Sequence, residues 1–305
     1  MSEKKTVSVI IPTYYRNDLL KGAIESVEEQ TYDRIELIVV DDSGDAHARS
    51  VAESYDVTYV AHDENRGPIG AWNTGFERST GDYVQILDDD DRLVEHKIET
   101  QVDLLETRSE VGLVHCGIQW EFGVVVSPPT SLRGDVLEEV LTLDTSPCVT
   151  STFLMRASVL EDLFPLPVYA GAADDVLKIE IASRAPFDYV DEALVLRGVD
   201  EQNVSESERA IQACFQLVED YADLYEQVDS TVRRKALAKT YSRQGVLYLS
   251  DRAWSLSAIR SFFFAIRHYP GVNGRFVLQF FLSLFGSGIF GFAHVVVRKL
   301  KSIGS

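Results

Sequence analysis

Short apolar runs alternate with amphipathic stretches through the first ninety residues. Val7 to Pro12 (Val-Ser-Val-Ile-Ile-Pro) is a buried-strand run stopped by proline. With Asn17 or Asp18 as the cap of a following helix, Leu19, Leu20, Ala23, Ile24 and Val27 fall on one helical face. Ile35 to Val40 predicts a second strand, then a helix over Ala46 to Ser54 and a strand over Val57 to Val60. Asn65-Arg66-Gly67-Pro68 reads as a turn feeding a helix over Ile69 to Arg78, closed by Gly81, and Tyr83 to Leu87 as the next strand. Such alternation predicts an α/β fold built on a doubly wound parallel sheet.

Beyond residue 90 the pattern predicts helices over Val94 to Glu106, Val136 to Leu143 and Val176 to Ala182. Strands are expected over Val111 to Phe122, Cys148 to Met155 and Ala193 to Leu196, with a proline-bearing loop over Ser127 to Arg133. Ala210 to Tyr225 and Val232 to Leu249 have the period of amphipathic helices. Gly245, Tyr248, Ala258, Phe262 and Pro270 are spaced as in a helical hairpin.

Candidate chemistry sits at the strand ends. The strand Tyr83 to Leu87 delivers four aspartates, Asp88 to Asp91, and the strand Ile35 to Val40 delivers Asp41-Asp42. Four carboxylates packed within about 10 Å repel one another and require a cation, a polyol or water to face. Ligands of open α/β sheets bind at the carboxyl ends of the strands. Two acid-tipped strands aimed at one crevice therefore predict a divalent cation bound together with a phosphate-bearing substrate.

Composition narrows the setting. The 305 residues carry a net charge of -19, and twenty arginines face only nine lysines. An acidic, lysine-poor surface fits a protein kept soluble at high salt, and so negative a body excludes nucleic acid as a partner. Cys116, Cys148 and Cys214 are scattered, with neither metal-ligand nor disulfide spacing, so a reducing compartment is expected. The polar stretch Met1 to Thr6 leads straight into a strand and is not a signal peptide.

Several of these segments, in order, resemble glycosyltransferase family 2. They are Val-Ser-Val-Ile-Ile-Pro-Thr13-Tyr14-Tyr15-Arg16, Leu37 to Ser43 with Asp41-Asp42, Asn65-Arg66-Gly67, Ala71-Trp72-Asn73-Thr74-Gly75, Gly81 to Val84, and Leu87-Asp88-Asp89-Asp90-Asp91. The resemblance covers about residues 5 to 205. It implies a GT-A fold, in which a nucleotide-binding half and an acceptor half share one mixed, mostly parallel sheet. It also implies transfer of a sugar from a UDP- or GDP-linked donor, with inversion at the anomeric carbon and Mg²⁺ or Mn²⁺ as cofactor.

By the same match, Asp90 is assigned to the metal, Asp88 to ribose or metal, and Asp89 exchanges with Asp90 if the register of the run shifts by one. Asp91 is expected as surface charge. Thr13 and Asp42 line the base, Tyr15 or Tyr14 stacks on it, and Arg66, Asn73 and Arg197 approach the diphosphate and sugar. Asn73 has a second reading, as a helix amide bonding its neighbours. Asp174-Asp175 resembles the acidic pair that precedes the acceptor-side helix, with Asp175 as general base and Asp174 in support. Relatives often carry Arg-x-His-x-x-Asn-x-Ser after the last strand. Here Arg197, Asn203 and Ser205 remain but the histidine does not, and Asp200 or Glu201 is no substitute for a neutral imidazole. A receiver-like phosphoacceptor domain, the competing class, places its acid pair after the first strand and is far shorter.

The C-terminal end has a different character. From Arg252 to Ser305 there is no Asp or Glu, while Arg260, Arg267, Arg275, Arg298, Lys299 and Lys301 are present. Phe276 to Val297 is 22 residues with no acid or base except His294 and rich in Phe, Leu, Ile and Val, enough to cross a ~30 Å hydrocarbon core. Gly286, Gly288 and Gly291 interrupt it, and cations flank both ends. Both flanks belong in the cytoplasm by positive-inside logic, which predicts a re-entrant or interfacial segment with Phe262-Phe263-Phe264 as a second anchor. A single span is the alternative. The expected organisation is a catalytic domain over 1–205, a helical extension over 206–270 and a membrane-associating segment over 271–305. A cytoplasmic-face membrane enzyme acting on a lipid-linked (polyprenyl or dolichyl phosphate) glycan follows, resembling archaeal enzymes of surface-protein N-glycosylation. A degenerate, non-catalytic membrane scaffold is the alternative that an intact acidic set opposes.

Overall fold

The computed structural model describes residues 4–169, 171–198, 207–250, 253–271 and 274–288. The chain divides into two compact units. One comprises Met1–Val140, Thr145–Tyr169 and Ala173–Gln202, and the other Leu141–Asp144, Ala170–Ala172 and Asn203–Ser305.

The first unit is built on β1 (Val7–Thr13), β2 (Ile35–Asp41), β3 (Thr58–Ala61), β4 (Tyr83–Ile86), β5 (Asp91–Leu93), β6 (Leu113–Trp120), β7 (Val125–Val126), β8 (Leu154–Arg156) and β9 (Phe187–Arg197). They form one sheet in the order β3-β2-β1-β4-β8-β6-β9-β5, with β7 beside β6. The β3-β2-β1-β4 half is parallel, as alternation predicts. β8 runs antiparallel to both β4 and β6, so the sheet is mixed. Helices α1 (Asn17–Glu28), α2 (Arg49–Ala52), α3 (Gly67–Arg78), α4 (Lys97–Thr107), α5 (Leu137–Leu141), α6 (Ala157–Leu160) and α7 (Ala173–Ala182) accompany it.

Val9, Ile10 and Ile11 in β1 are all fully buried, because both faces of a central parallel strand are covered. Val9 and Ile11 join Leu20, Ile24 and Val27 of α1 and Ile98, Val102 and Leu105 of α4 in one core. On the other face, α3 presses so close that a Cβ on Gly75 would lie 2.3 Å from Ile10 Cγ2. That contact explains glycine in Ala71-Trp72-Asn73-Thr74-Gly75. The expected cap of α1 is displaced: Arg16 holds the N-cap position and makes no side-chain cap, and Leu19 is exposed. The strand predicted over Cys148 to Met155 begins instead as a 3-10 turn, Thr150–Thr152. β5 follows directly on the acidic run and was hidden by it.

Lys97 of α4 is fully buried with no carboxylate partner among the described residues; its ammonium donates to the Gln85 and Gln101 side-chain oxygens and to the Phe153 carbonyl. Burial pulls its pKa down to about 8. Between pH 8 and the unfolded value near 10.5, the unfolded chain binds more protons at this site, so stability rises with pH. The buried Cys116 and Cys148 thiols, pushed up to about 11 and about 12, act in the opposite direction. The Lys97 contribution is therefore read as the difference between wild type and Lys97→Met in urea unfolding, expected to move by about 1–2 kcal/mol in favour of wild type from pH 8 to 9.5. A difference that does not change with pH contradicts the assignment.

The second unit is helical: α8 (Glu208–Asp220), α9 (Ala222–Glu226), α10 (Ser230–Ser250), α11 (Leu256–His268) and α12 (Arg275–Ser283). Ser207 and Ser255 cap α8 and α11 through their side chains. α10 and α11 form the hairpin expected from Gly245 and Phe262, whose ring lies 2.7 Å from where a Gly245 Cβ would stand. Phe262 is therefore core, whereas Phe263 is exposed, which corrects Phe262 as a surface anchor. α12 stops at Ser283 and Gly286 takes φ +85°, so the apolar stretch does not begin as one unbroken span. Among the described residues no helix is long and apolar enough to cross a membrane. His294, Arg298, Lys299, Lys301 and the remainder of 289–305 lie outside the described residues.

Candidate active site

The carboxyl ends of β1, β2 and β4 bring Thr13, Asp41, Asp42 and the acidic run to one edge of the sheet. Asp41 is wholly buried and accepts from the Ser43 and Ala48 amides and the Tyr59 hydroxyl. Burial opposes its ionisation, but these hydrogen bonds win and hold its pKa below the usual carboxylate value. It fixes the loop after β2.

Asp42 is also committed to the protein. Its Oδ1 accepts the Arg66 amide at 2.8 Å and meets His62 Nδ1 at 2.6 Å, while Oδ2 accepts the Gly67 amide at 2.8 Å. His62 in turn reaches the Thr74 hydroxyl at 2.8 Å. The carboxylate expected to take an N–H from a base instead holds the turn that starts α3. The Arg66 side chain stands exposed on that turn. The Asn73 side chain bonds a distant loop rather than its helix neighbours: its amide N–H donates to the Leu166 carbonyl at 3.1 Å and its oxygen accepts the Leu166 N–H at 2.8 Å, so one N–H and one lone pair are not taken up by Leu166.

Tyr15 adopts φ +55°, an uncommon backbone for a bulky residue, and its hydroxyl donates to the Ser43 carbonyl at 3.1 Å. Tyr14 packs edge-on against it at 4.8 Å, and both rings are half exposed at the rim.

The acidic run divides by function. Asp89 turns towards β1, accepting the Thr13 hydroxyl at 2.8 Å and Arg16 Nη1 at 3.1 Å. Burial lifts its pKa to about 6 against the pull of Thr13 and Arg16. Asp88, Asp90 and Asp91 converge instead, with one carboxylate oxygen from each inside a 4.8 Å circle. Asp91 is 1% exposed, not surface charge, and neither of its oxygens has a hydrogen-bond partner among the described residues. The Ser151 hydroxyl and Gly198 amide favour its ionised form without being aligned to hydrogen-bond it. Burial lifts its pKa to about 6, opposed by Arg197. Asp88 is pushed well up by burial, then by repulsion from Asp91, Asp174 and Asp90.

Three converging carboxylates, one buried with unsatisfied oxygens, are the donor set of a hard divalent cation. The residues present fit Mg²⁺ or Mn²⁺ through Asp88, Asp90 and Asp91. Asp89, the expected alternate, faces away.

Across the cluster stand α7 and β9. Asp175 pairs with buried Lys178 at 3.1 Å, whose ammonium also donates to the Thr145 hydroxyl and the Cys148 carbonyl. Asp174 is the carboxylate that repels Asp88 and draws Arg197, and it accepts the Thr150 hydroxyl. Asp174 is thus charge-coupled to the cluster, while Asp175, expected as the base, forms the ion pair with Lys178, whose ammonium Asp174 favours as well. Arg197 is the counter-charge to Asp91, Asp88, Asp174 and Asp90, which outweigh burial and hold its pKa up. Asp200, Glu201, Asn203 and Ser205 lie outside the described residues. Sequence reasoning gave no role to Arg16, although it adjoins Thr13, nor to Thr150 and Ser151, whose Thr-Ser-Thr run was absorbed into a predicted strand.

A mixed sheet of this order, with an acidic turn after its fourth strand, defines a GT-A-like fold. Over 87% of this chain it superposes on 81% of S. aureus TarS 1–349, with TM-score 0.63 at 17% identity. The mannosyltransferase PcManGT of Pyrobaculum calidifontis, solved with GDP-Man and Mn²⁺, matches 94% of this chain and 87% of its own at TM-score 0.56 and 19% identity. The chain belongs to glycosyl transferase family 2, whose model matches residues 8–164. An uncharacterized glycosyltransferase of Nostoc sp. is 31% identical over 172 residues, 52% of this chain and 53% of the relative. The GalNAc(5)-diNAcBac-PP-undecaprenol beta-1,3-glucosyltransferase of Campylobacter jejuni is 33% identical over 100 residues, 31% of this chain and 32% of its own. The chain thus spans about half, or less, of these relatives' lengths.

Proposed function

We propose that the protein is an inverting glycosyltransferase that takes a sugar from a UDP- or GDP-linked donor. The observation that carries this is the convergence of Asp88, Asp90 and Asp91, with Asp91 buried and unsatisfied among the described residues, beside Arg197 and Asp174. Asp88, Asp90 and Asp91 would hold a divalent ion, which would supply charge neutralisation for a departing nucleoside diphosphate. Arg197 adds positive charge on the same side. Thr13 and Arg16 fix Asp89, which anchors the turn that presents the other three.

Asp174 is the proposed base in place of Asp175. It takes the proton of the acceptor hydroxyl as that oxygen bonds to the anomeric carbon and the bond to the diphosphate breaks. The Thr150 hydroxyl orients its Oδ1. Asp175 and Lys178 hold the first turn of α7 in place. Incubating the protein with UDP- and GDP-sugars and Mn²⁺ tests the reading: nucleoside diphosphate release is expected from wild type and not from Asp90→Ala. Release unaffected by that change overturns it.

The acceptor we infer is a lipid-linked glycan at the cytoplasmic face of the cell membrane. Support comes from the acid-free stretch after Asp251, from exposed Trp254, Phe263, Phe281 and Phe285 in the second unit, and from the undecaprenol-linked acceptor named for the Campylobacter relative. N-glycosylation of surface proteins is the narrower form of this reading. Another surface polysaccharide or glycolipid is the alternative. Carbonate extraction is expected to leave the full chain in the membrane pellet; full release contradicts attachment through residues 271–305.

A further inference from the structure

We infer that Phe122, backed by Trp120, is a stacking ledge for a pyranose ring of the acceptor, a site that rests on the glycosyltransferase reading. In the sheet, Trp120 of β6 is in register with Arg197 of β9, and Arg197 with Asp91 of β5. In-register neighbours point to the same face, so these three side chains form one row. The contacts agree. The Arg197 guanidinium lies 5.5 Å from the Trp120 ring centroid, and the same guanidinium is the counter-charge of Asp91. Two strand spacings place Trp120 about 10 Å from Asp91 along this row.

The row ends in an aromatic shelf. Phe122 lies almost parallel to Trp120, centroids 5.7 Å apart and planes inclined by 14°. Trp120 is half-buried and packs against the core, while Phe122 is 66% exposed. The turn that carries it is fixed by backbone hydrogen bonds. The Gly123 N–H donates to the Trp120 carbonyl at 2.7 Å, the Trp120 N–H to Val124 at 2.8 Å, and the Glu121 N–H to the Arg197 carbonyl at 3.2 Å. Gly123 takes φ +87°, which closes the turn.

Val124 and Val125 beside it are exposed as well. An apolar cluster of this kind in water is a binding feature, and a flat ring held rigid suits the C–H face of a hexose while leaving its hydroxyls solvated. The ledge is continuous, through Arg197, with the carboxylates proposed to direct transfer. It therefore holds the sugar next to the one whose hydroxyl meets Asp174. A membrane wedge is the competing occupant, disfavoured because the ledge joins the acidic site and carries Glu121.

Saturation-transfer NMR with methyl β-D-glucoside, methyl β-D-galactoside and methyl α-D-mannoside, in Mg²⁺ buffer, tests the ledge. At least one glycoside is expected to receive saturation at its ring C–H protons. Phe122→Ala should weaken that binding roughly 3- to 10-fold, and Phe122→Trp should restore it. The ledge is overturned if wild type binds none of the three, or if Phe122→Ala binds as well as wild type. It is also overturned if that variant loses anionic vesicle binding but keeps the glycoside. Binding of UDP and GDP measured on the same samples reports separately on the nucleotide-sugar reading, and melting curves of Phe122→Ala confirm that it folds.

Discussion

Replacing Asp91 with asparagine is expected to stabilise the metal-free protein and to abolish the stabilisation that Mn²⁺ gives wild type. The carboxylate is buried beside Asp88 and Asp90, and neither of its oxygens is hydrogen-bonded among the described residues. Its pKa of about 6 lies above the ordinary value of 3.8, so the ionised form present at pH 7 is disfavoured by folding. Removing it recovers on the order of 1–3 kcal/mol at pH 7. The sign of the pH dependence follows. An acid with a raised folded pKa destabilises above that pKa and ceases to do so below the unfolded value. The advantage of Asp91→Asn is therefore greatest at pH 7 and disappears towards pH 4. Mn²⁺ should raise the melting temperature of wild type and leave Asp91→Asn unmoved. A variant less stable than wild type without metal, yet still stabilised by Mn²⁺, contradicts the assignment.

Asp174→Asn and Asp175→Asn, adjacent and chemically identical changes, are expected to fail in different ways. Asp174→Asn keeps its Thr150 partner and its fold but cannot accept a proton, so kcat should fall about 10²–10⁴-fold with the donor KM little changed. Asp175→Asn removes the negative charge paired with a Lys178 ammonium that is 4% exposed, leaving it, among the described residues, neutral oxygens and the charge of Asp174. Breaking a buried pair from one side costs on the order of 2–4 kcal/mol, so the melting temperature should drop first. Thermal melts and steady-state rates on the same preparations separate the outcomes. A lost kcat with an unchanged melt in Asp175→Asn would return the base to that position.

The parallel half of the fold was legible because β1, β2 and β4 are buried on both faces and read as unbroken apolar runs. β5 and the Thr150–Thr152 turn were not, since a strand of three residues opening on an aspartate has no periodicity to detect. The site was half legible. The position of the acidic run at a strand end found the right edge of the sheet, but a row of four identical residues carries no information on which way each one points. The hydrogen bonds from Thr13 and Arg16 decide that Asp89 turns away, and the pairing of Asp91 with Arg197 across β5 and β9 decides that Asp91 turns in. Asp42 and Asn73 have the residue types of ligand contacts and also hold the Arg66–Gly67 amides and Leu166. Only tertiary partners reveal that. For Asp174 and Asp175, the ion pair of Asp175 with buried Lys178 is what favours Asp174 as the proposed base, and the burial of Lys178 is not visible in the sequence.

Calorimetric titration of UDP and GDP with and without Mn²⁺ tests the central claim most directly. The account predicts that one of the two nucleotides binds wild type in Mn²⁺, and that EDTA or Asp90→Ala abolishes binding while the fold persists. Absence of binding by both nucleotides, or binding indifferent to EDTA and to Asp90→Ala, would contradict it.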